Sequence, residues 1–244
     1  MIPDASRLGL AEPDLTNTFR PLTLAPYYNA EVGDIFKNKY LSPRPQTTTL
    51  QIPVQGIGEW CHPHQTAEIN DSVFRSLVSD GIFLMAGVPM STPQKGRNII
   101  YTSLWNNYPD SVVIPLKGRA GRAYLLMAGS TNHMQSRIDN GLIVVTYTDA
   151  TTDTLVLRNP DNWCPIEQDY YVDGKAFCAP SPRPYRVCFS TGDVSRNLPA
   201  VPLIPGGAGQ MLIMPLNPQK KLRALTLRTL SNDVVMGLMA VTLQ

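Results

Sequence analysis

Alternating apolar and polar positions dominate the second half of the chain and predict β-strands. In the segment NGLIVVTYTDATTDTLVLRNP, apolar residues recur at every second position on both sides of a polar turn at 149–153. Side chains of a strand point alternately to its two faces, so this period of two predicts a β-hairpin with one buried face. β-Branched residues fill both arms and favour the same structure.

Further strands are predicted at 72–78, 81–87, 98–105, 111–116, 122–130, 185–191, 210–216, 222–230 and 234–243. Residues 122–130 are apolar at consecutive positions, which is typical of a central strand that packs on both faces. Asp80-Gly81 and Asn140-Gly141 are expected to form tight turns, because glycine adopts a positive φ without strain. About ten strands with short turns predict an all-β sandwich.

The first 55 residues have a different pattern, with prolines at many positions that remove backbone hydrogen-bond donors. One short helix is predicted at 30–40, ended by Ser42-Pro43. The expected organisation is an irregular N-terminal arm or linker at 1–55 and a β-sandwich domain at 56–244. The arm is too rich in proline to form a core and is expected to pack over a neighbouring surface.

Charge excludes one class of partner. Lys and Arg number 21 against 19 Asp and Glu, a net charge of +2. A strongly basic nucleic-acid-binding protein is therefore not expected.

No apolar run reaches the roughly 18 residues of a membrane-spanning helix. The first residues lack the pattern of a signal peptide, so we expect either a cytoplasmic protein or a fragment of a longer secreted one.

The four cysteines, Cys61, Cys164, Cys178 and Cys188, show no spacing typical of a zinc or redox motif. Buried free thiols are the favoured interpretation. A disulfide between Cys178 and Cys188 across a hairpin stays open, and no cofactor is expected.

One cluster of chemically active residues lies in the segment GEWCHPHQTAEINDSVF. His62 and His64 would share one face of a strand, and Glu59 or Glu68 could add a third metal ligand. No known metal motif is present, so a structural role in a loop is favoured over a metal site. An acid–base pair of a hydrolase, formed by Glu59 and Glu68 with Asp71 nearby, is a lesser alternative because nothing fixes the separation of the carboxylates.

Two predicted loops, WNNYPD and NPDNWCPIEQDYY, mix aromatic rings with amides and short carboxylates. Sugars stack on flat rings and pair their hydroxyl groups with such polar side chains, so loops of this composition on a rigid sheet suit a shallow sugar site. The alternative is that Trp163 and Tyr170 anchor a long loop to the sandwich. The candidate ligand-binding residues are Trp105, Asn107, Tyr108, Trp163, Gln168, Asp169 and Tyr171.

Four segments carry a resemblance to a known family: GEWCHPHQTAEINDSVFR, AYLLMAGSTNHMQSRIDNGLIVVTYTD, LRNPDNWCPIEQDYY and LRALTLRTLSNDVVMGLMAVTL. Over roughly residues 20–244 the chain resembles the C-terminal β-rich region of an uncharacterised family of large gut-bacterial, glycosidase-like multidomain proteins. Cys164 follows Trp163 where related sequences often have a second aromatic residue. The resemblance implies a jelly-roll-like (galactose-binding-like) sandwich and a periplasmic or extracellular location, and it assigns no catalytic residue.

The leading functional hypothesis is a non-catalytic accessory module of a larger carbohydrate-active enzyme. It would dock onto the catalytic domain of the same parent chain and bind polysaccharide weakly. The first alternative is a purely structural module that serves interdomain packing. The second is a self-contained glycoside hydrolase that uses Glu59, Glu68, Asp71 or His64.

Overall fold

The computed structural model describes residues 4–37, 68–105, 107–131, 137–168, 182–197, 204–232 and 234–244. Apart from a five-residue α-helix, α1 (Ser72–Ser76), and two 3-10 turns, Ala25–Tyr27 and Val32–Asp34, the regular structure in these ranges is β. The strands are β1 (Arg20–Pro21), β2 (Ile82–Met85), β3 (Val88–Ser91), β4 (Ile100–Ser103), β5 (Ser111–Pro115), β6 (Arg122–Met127), β7 (Ser130–Thr131), β8 (Asp139–Tyr147), β9 (Thr152–Arg158), β10 (Tyr185–Cys188), β11 (Val194–Ser195), β12 (Ala208–Pro215), β13 (Leu222–Thr229) and β14 (Val234–Leu243).

Two antiparallel sheets face each other and form a jelly roll. The first contains β4-β14-β6-β12 in that order, extended by β10 and β11 beside β12 and by β1 and β7 beside β14. The second is β5-β13-β8-β9. Along the chain, β4, β6, β12 and β14 enter the first sheet while β5, β8, β9 and β13 enter the second, which is the double Greek-key order of a jelly roll. The prediction of an all-β, jelly-roll-like sandwich is confirmed.

The central position of β6 explains why its sequence is apolar on both faces. Tyr124 and Leu126 lie in one core, whereas Leu125 and Met127 lie in the other. We call the core between the two sheets the inner core, and the core on the opposite face of the first sheet the outer core. Both are closed to solvent around β6, whose residues from Ala123 to Met127 are completely buried. Burial of each large apolar side chain contributes about 1.5–3 kcal/mol to folding.

The outer core is covered by a layer made of α1, the β2–β3 hairpin and part of the arm. Phe74 of α1 packs on Phe83 of β2 and on Phe189, with ring centroids 4.7 and 5.4 Å apart. Val32 and Ile35 of the arm are completely buried in the same core. The molecule therefore has three layers, with the first sheet in the middle.

The N-terminal arm is bonded to the sandwich along its described length, residues 4–37. The Gly9 carbonyl accepts a hydrogen bond from the Ile213 amide of β12, and β1 pairs with the end of β14. Leu24 is buried in the inner core, where Tyr28 also packs and donates its hydroxyl to the Met239 carbonyl. Burial raises the pKa of Tyr28 above its usual range.

Two local predictions are wrong. Residues 72–78 were expected to form a strand, but 72–76 form α1, because the buried residues Phe74 and Val78 are four apart. Asn140-Gly141 is not a turn: Asn140 is the extra residue of a bulge inside β8. The short helix predicted at 30–40 is present as the 3-10 turn Val32–Asp34, and residues 38–40 of that range lie outside the described residues.

Candidate functional site

A polar cleft opens where the arm meets the loop between β4 and β5. Its volume is about 260 Å³. The arm supplies one wall, and the segment before β4 together with the β4–β5 loop supplies the other. The lining residues are Asn29, Ala30, Glu31, Asp34, Arg97, Asn107 and Tyr108.

Contacts with β4 and the residue before it hold the base of the cleft in place. The Asn29 side chain donates to the Tyr101 carbonyl at 2.9 Å and accepts from the Tyr101 amide at 2.8 Å, so it acts as an extra strand residue beside β4. The ring of Tyr108 packs on the ring of Tyr101, with centroids 5.2 Å apart. Ala30 forms a β-bridge with Ile99. The groups that line the cleft are therefore held on a rigid support.

Ion pairs set the charge of the arm-side wall. Arg75 of α1 bonds through Nε to Asp71 at 2.8 Å, and its guanidinium lies 3.4 Å from the Glu31 carboxylate. Asn98, which is completely buried, donates to Asp71 at 2.8 Å and accepts from the Val32 amide at 2.9 Å. This network ties α1, the arm and β4 together behind the cleft.

The predicted sugar-binding residues separate into two groups. Asn107 is exposed and Tyr108 is half-buried, and both line the cleft. Trp105 and Trp163, by contrast, are 4% and 0% exposed, so neither offers a face to a ligand. The prediction of a surface role for the two tryptophans is corrected: Trp105 packs in the outer core and Trp163 in the inner core.

The alternative interpretation of Trp163, as an anchor of its loop, agrees with this burial. Its ring packs where Gly129 leaves room, since a Cβ at Gly129 would come within 2.9 Å of it. Of the other three predicted ligand residues, Gln168 does not line the cleft. Gln168 is half-buried and its carbonyl accepts a hydrogen bond from Arg186. Asp169 and Tyr171 lie outside the described residues.

The candidate catalytic and metal-binding residues are not brought together where the structure describes them. Glu59, His62 and His64 lie outside the described residues. Glu68 is exposed, and Asp71 is buried in its ion pair with Arg75. No group of three His, Cys, Asp or Glu side chains that could hold a metal ion occurs in the described part of the chain. Cys164 and Cys188 are free thiols, while Cys61 and Cys178 fall in the parts not described.

Sequence reasoning missed a buried carboxyl group, Glu167, and a buried guanidinium group, Arg186, that lie close together at the segment 163–168. The Arg186 guanidinium donates to the carbonyls of Pro165 and Gln168 at 2.8 and 2.6 Å. Glu167 is 1% exposed, and none of the described residues bonds its Oε2 atom. Burial raises the pKa of Glu167 to about 8, although the nearby charge of Arg186 acts in the opposite direction. Burial therefore favours the neutral form of the Glu167 carboxyl.

A second surface feature is the outward side of the β5-β13-β8-β9 sheet, which we call the outer face. The strand register aligns its side chains in three rows that cross the sheet. Arg228 is the one charged residue in these rows. The rows are Ser111, Arg228, Leu142 and Val156; Val113, Thr226, Val144 and Thr154; and Pro115, Ala224, Thr146 and Thr152.

Comparison with known proteins adds no assignment: no family model matches the chain, and no curated protein matches it. Within the described residues, none of the helices has the length and apolar character to cross a lipid bilayer.

Proposed function

We propose that this chain is a non-catalytic jelly-roll building block that works by packing against a second copy of itself. The jelly roll of two four-stranded sheets is the architecture of viral capsid proteins and of many lectin domains. Because unrelated functions share this fold, the choice among them depends on the surfaces of the molecule.

The chemistry of the outer face carries the proposal. Its middle row, Val113, Thr226, Val144 and Thr154, consists of β-branched side chains without charge, and Val113 is 56% exposed. Charged residues are depleted in the cores of protein interfaces. A sheet face with an uncharged middle row has the composition of a surface that another protein covers.

The symmetry of a homodimer favours a second copy as the occupant. A two-fold axis places the same patch of both subunits together, so residues near the axis meet themselves. A charged row would repel its own copy, whereas the middle row carries no charge. A catalytic domain of the same parent chain, the partner expected from the sequence, would leave the isolated chain monomeric.

Sedimentation velocity over a range of protein concentration, from about 1 to 200 μM, tests the proposal. The wild-type chain is expected to show a concentration-dependent oligomer, and Val113→Lys is expected to weaken association at least tenfold, because it places like charges at the contact. A wild-type chain that stays monomeric over the whole range would overturn the proposal.

Leu84→Lys is the matched control. Leu84 is an apolar residue of β2 that is 63% exposed and lies in the layer on the other side of the first sheet. It should leave the association constant unchanged, and an equal loss in both variants would refute a specific interface on the outer face. Thr226→Lys, in the same row as Val113, provides a second variant if Val113→Lys changes the thermal unfolding of the monomer.

A further inference from the structure

The charges around the cleft cancel. Two carboxylates and one cation line it, two further cations pair with these carboxylates, and a third carboxylate pairs with one of those cations, so the six charges sum to zero. These groups are Glu31, Asp34 and Asp71, and Arg75, Arg97 and Lys37. A strongly anionic or cationic ligand therefore gains no net attraction from this surface.

The two carboxylates that line the cleft each have a cation beside them. Glu31 lies 3.4 Å from Arg75, and Asp34 lies 3.9 Å from Lys37. Divalent cations need several oxygen ligands that converge on one point. Carboxylates that are compensated in this way suit neutral hydroxyl donors better than a metal ion.

The donors and acceptors of the cleft match a polyhydroxylated ligand. Glu31 and Asp34 accept hydrogen bonds, and the Arg97 guanidinium donates them. The half-buried ring of Tyr108 adds a flat apolar surface at the same place. Vicinal hydroxyl groups around an apolar ring face, as in a pyranose, complement such a set.

We infer that the cleft is a binding site for one unit of a neutral saccharide. Its volume of about 260 Å³ lies below the usual range for drug-sized ligands, roughly 300–1,000 Å³, and suits a single sugar ring. The rigid support under Asn29 and Tyr108 means that binding orders little of the protein, which reduces the entropic cost. The site is independent of the outer face and does not require self-association.

Saturation-transfer NMR with four neutral probes tests the inference: the methyl pyranosides of glucose, galactose and mannose, and N-acetylglucosamine. At least one should bind with a millimolar Kd, since the site is small and open. Glucuronate and calcium chloride serve as charged probes. No binding of any neutral probe at 20 mM, or binding of a charged probe alone, would overturn the inference.

Variants then locate the site. Arg97→Ala should weaken the binding of the sugar at least fivefold, and Tyr108→Ala at least tenfold. Arg119→Ala is the matched control, because Arg119 is also an exposed arginine but bonds to the Gln219 carbonyl, away from the cleft. Arg97 is exposed, so its removal leaves the fold intact and keeps the test valid if Tyr108→Ala is destabilised. Equal binding by wild type and Arg97→Ala would refute the assignment.

Discussion

Glu167 offers the sharpest test of the structure, because it is a buried acid whose neutral form is favoured in the folded protein. Its carboxyl is fully enclosed, and its Oε2 atom is bonded by none of the described residues. Glu167→Gln replaces the acid with a neutral amide of nearly the same shape. The substitution removes the ionisation and leaves the packing almost unchanged.

The size of the effect follows from the two pKa values. The carboxyl of Glu167 ionises near 4.5 when exposed in the unfolded chain and at about 8 in the folded protein. The stabilising contribution of the protonated carboxyl is therefore fully present below about pH 4.5, and it is lost as the pH rises towards 8. Each pH unit in this window corresponds to about 1.4 kcal/mol, so the loss is about 3 kcal/mol at pH 7 and about 5 kcal/mol above pH 8.

Urea unfolding from pH 5 to pH 9 measures this loss. The difference in the free energy of unfolding between Glu167→Gln and wild type should shift in favour of the variant by several kcal/mol over this range. Glu68→Gln is the control, because Glu68 is exposed and the same substitution there changes no buried contact. Other titrating groups cancel in the comparison. Parallel pH profiles for Glu167→Gln and wild type would refute a neutral Glu167.

Two further pairs of substitutions probe the core. Gly237→Ala should lower the free energy of unfolding, measured in urea, by at least about 2 kcal/mol, because the added Cβ would overlap the Ala128 carbonyl. Gly121→Ala is the control, because there is room for a Cβ at Gly121 and stability should change little. Similar values for the two variants would contradict the packing described. Trp105→Phe should lower the free energy of unfolding by about 1 kcal/mol more than Trp163→Phe does. The reason is that Trp105 Nε1 donates a hydrogen bond to a backbone carbonyl, whereas Trp163 Nε1 has no partner among the described residues. The reverse order would contradict these bonding assignments.

Much of the sandwich could be predicted because hydrophobic periodicity reports which faces of a strand are buried. The hairpin β8–β9 alternates since only one of its faces lies on the inner core, and the continuous apolar run of β6 reflects its place between two cores. The order of the strands within the sheets could not be derived in this way, because periodicity carries no information about which strands pair.

The errors arose where a short segment satisfied two patterns. The sequence SVFRSLV contains β-branched and apolar residues that suit a strand, yet an ion pair four residues apart, Asp71 with Arg75, favours one helical turn. Asn140-Gly141 carries the usual signal for a turn, but Asn140 is buried and its side chain accepts a hydrogen bond from the Asn159 amide within the sheet.

The cleft could be anticipated only in part. Asn107 and Tyr108 were identified from loop composition, since rings and amides beside a strand are typical of ligand sites. Glu31, Asp34 and Arg97 were not, because the arm and the start of β4 lie more than sixty residues apart in the sequence. Only tertiary structure brings them to the loop that follows β4.

The position of β14 has a consequence for synthesis on the ribosome. This strand pairs with β4, β6, β7 and β1, and all of them are translated before it. Until Val234–Leu243 leaves the exit tunnel, the middle of the first sheet is open and its apolar residues stay exposed. The nascent chain therefore accumulates unpaired strands until this last strand is inserted between them, and a stop codon just before β14 would release a product that aggregates.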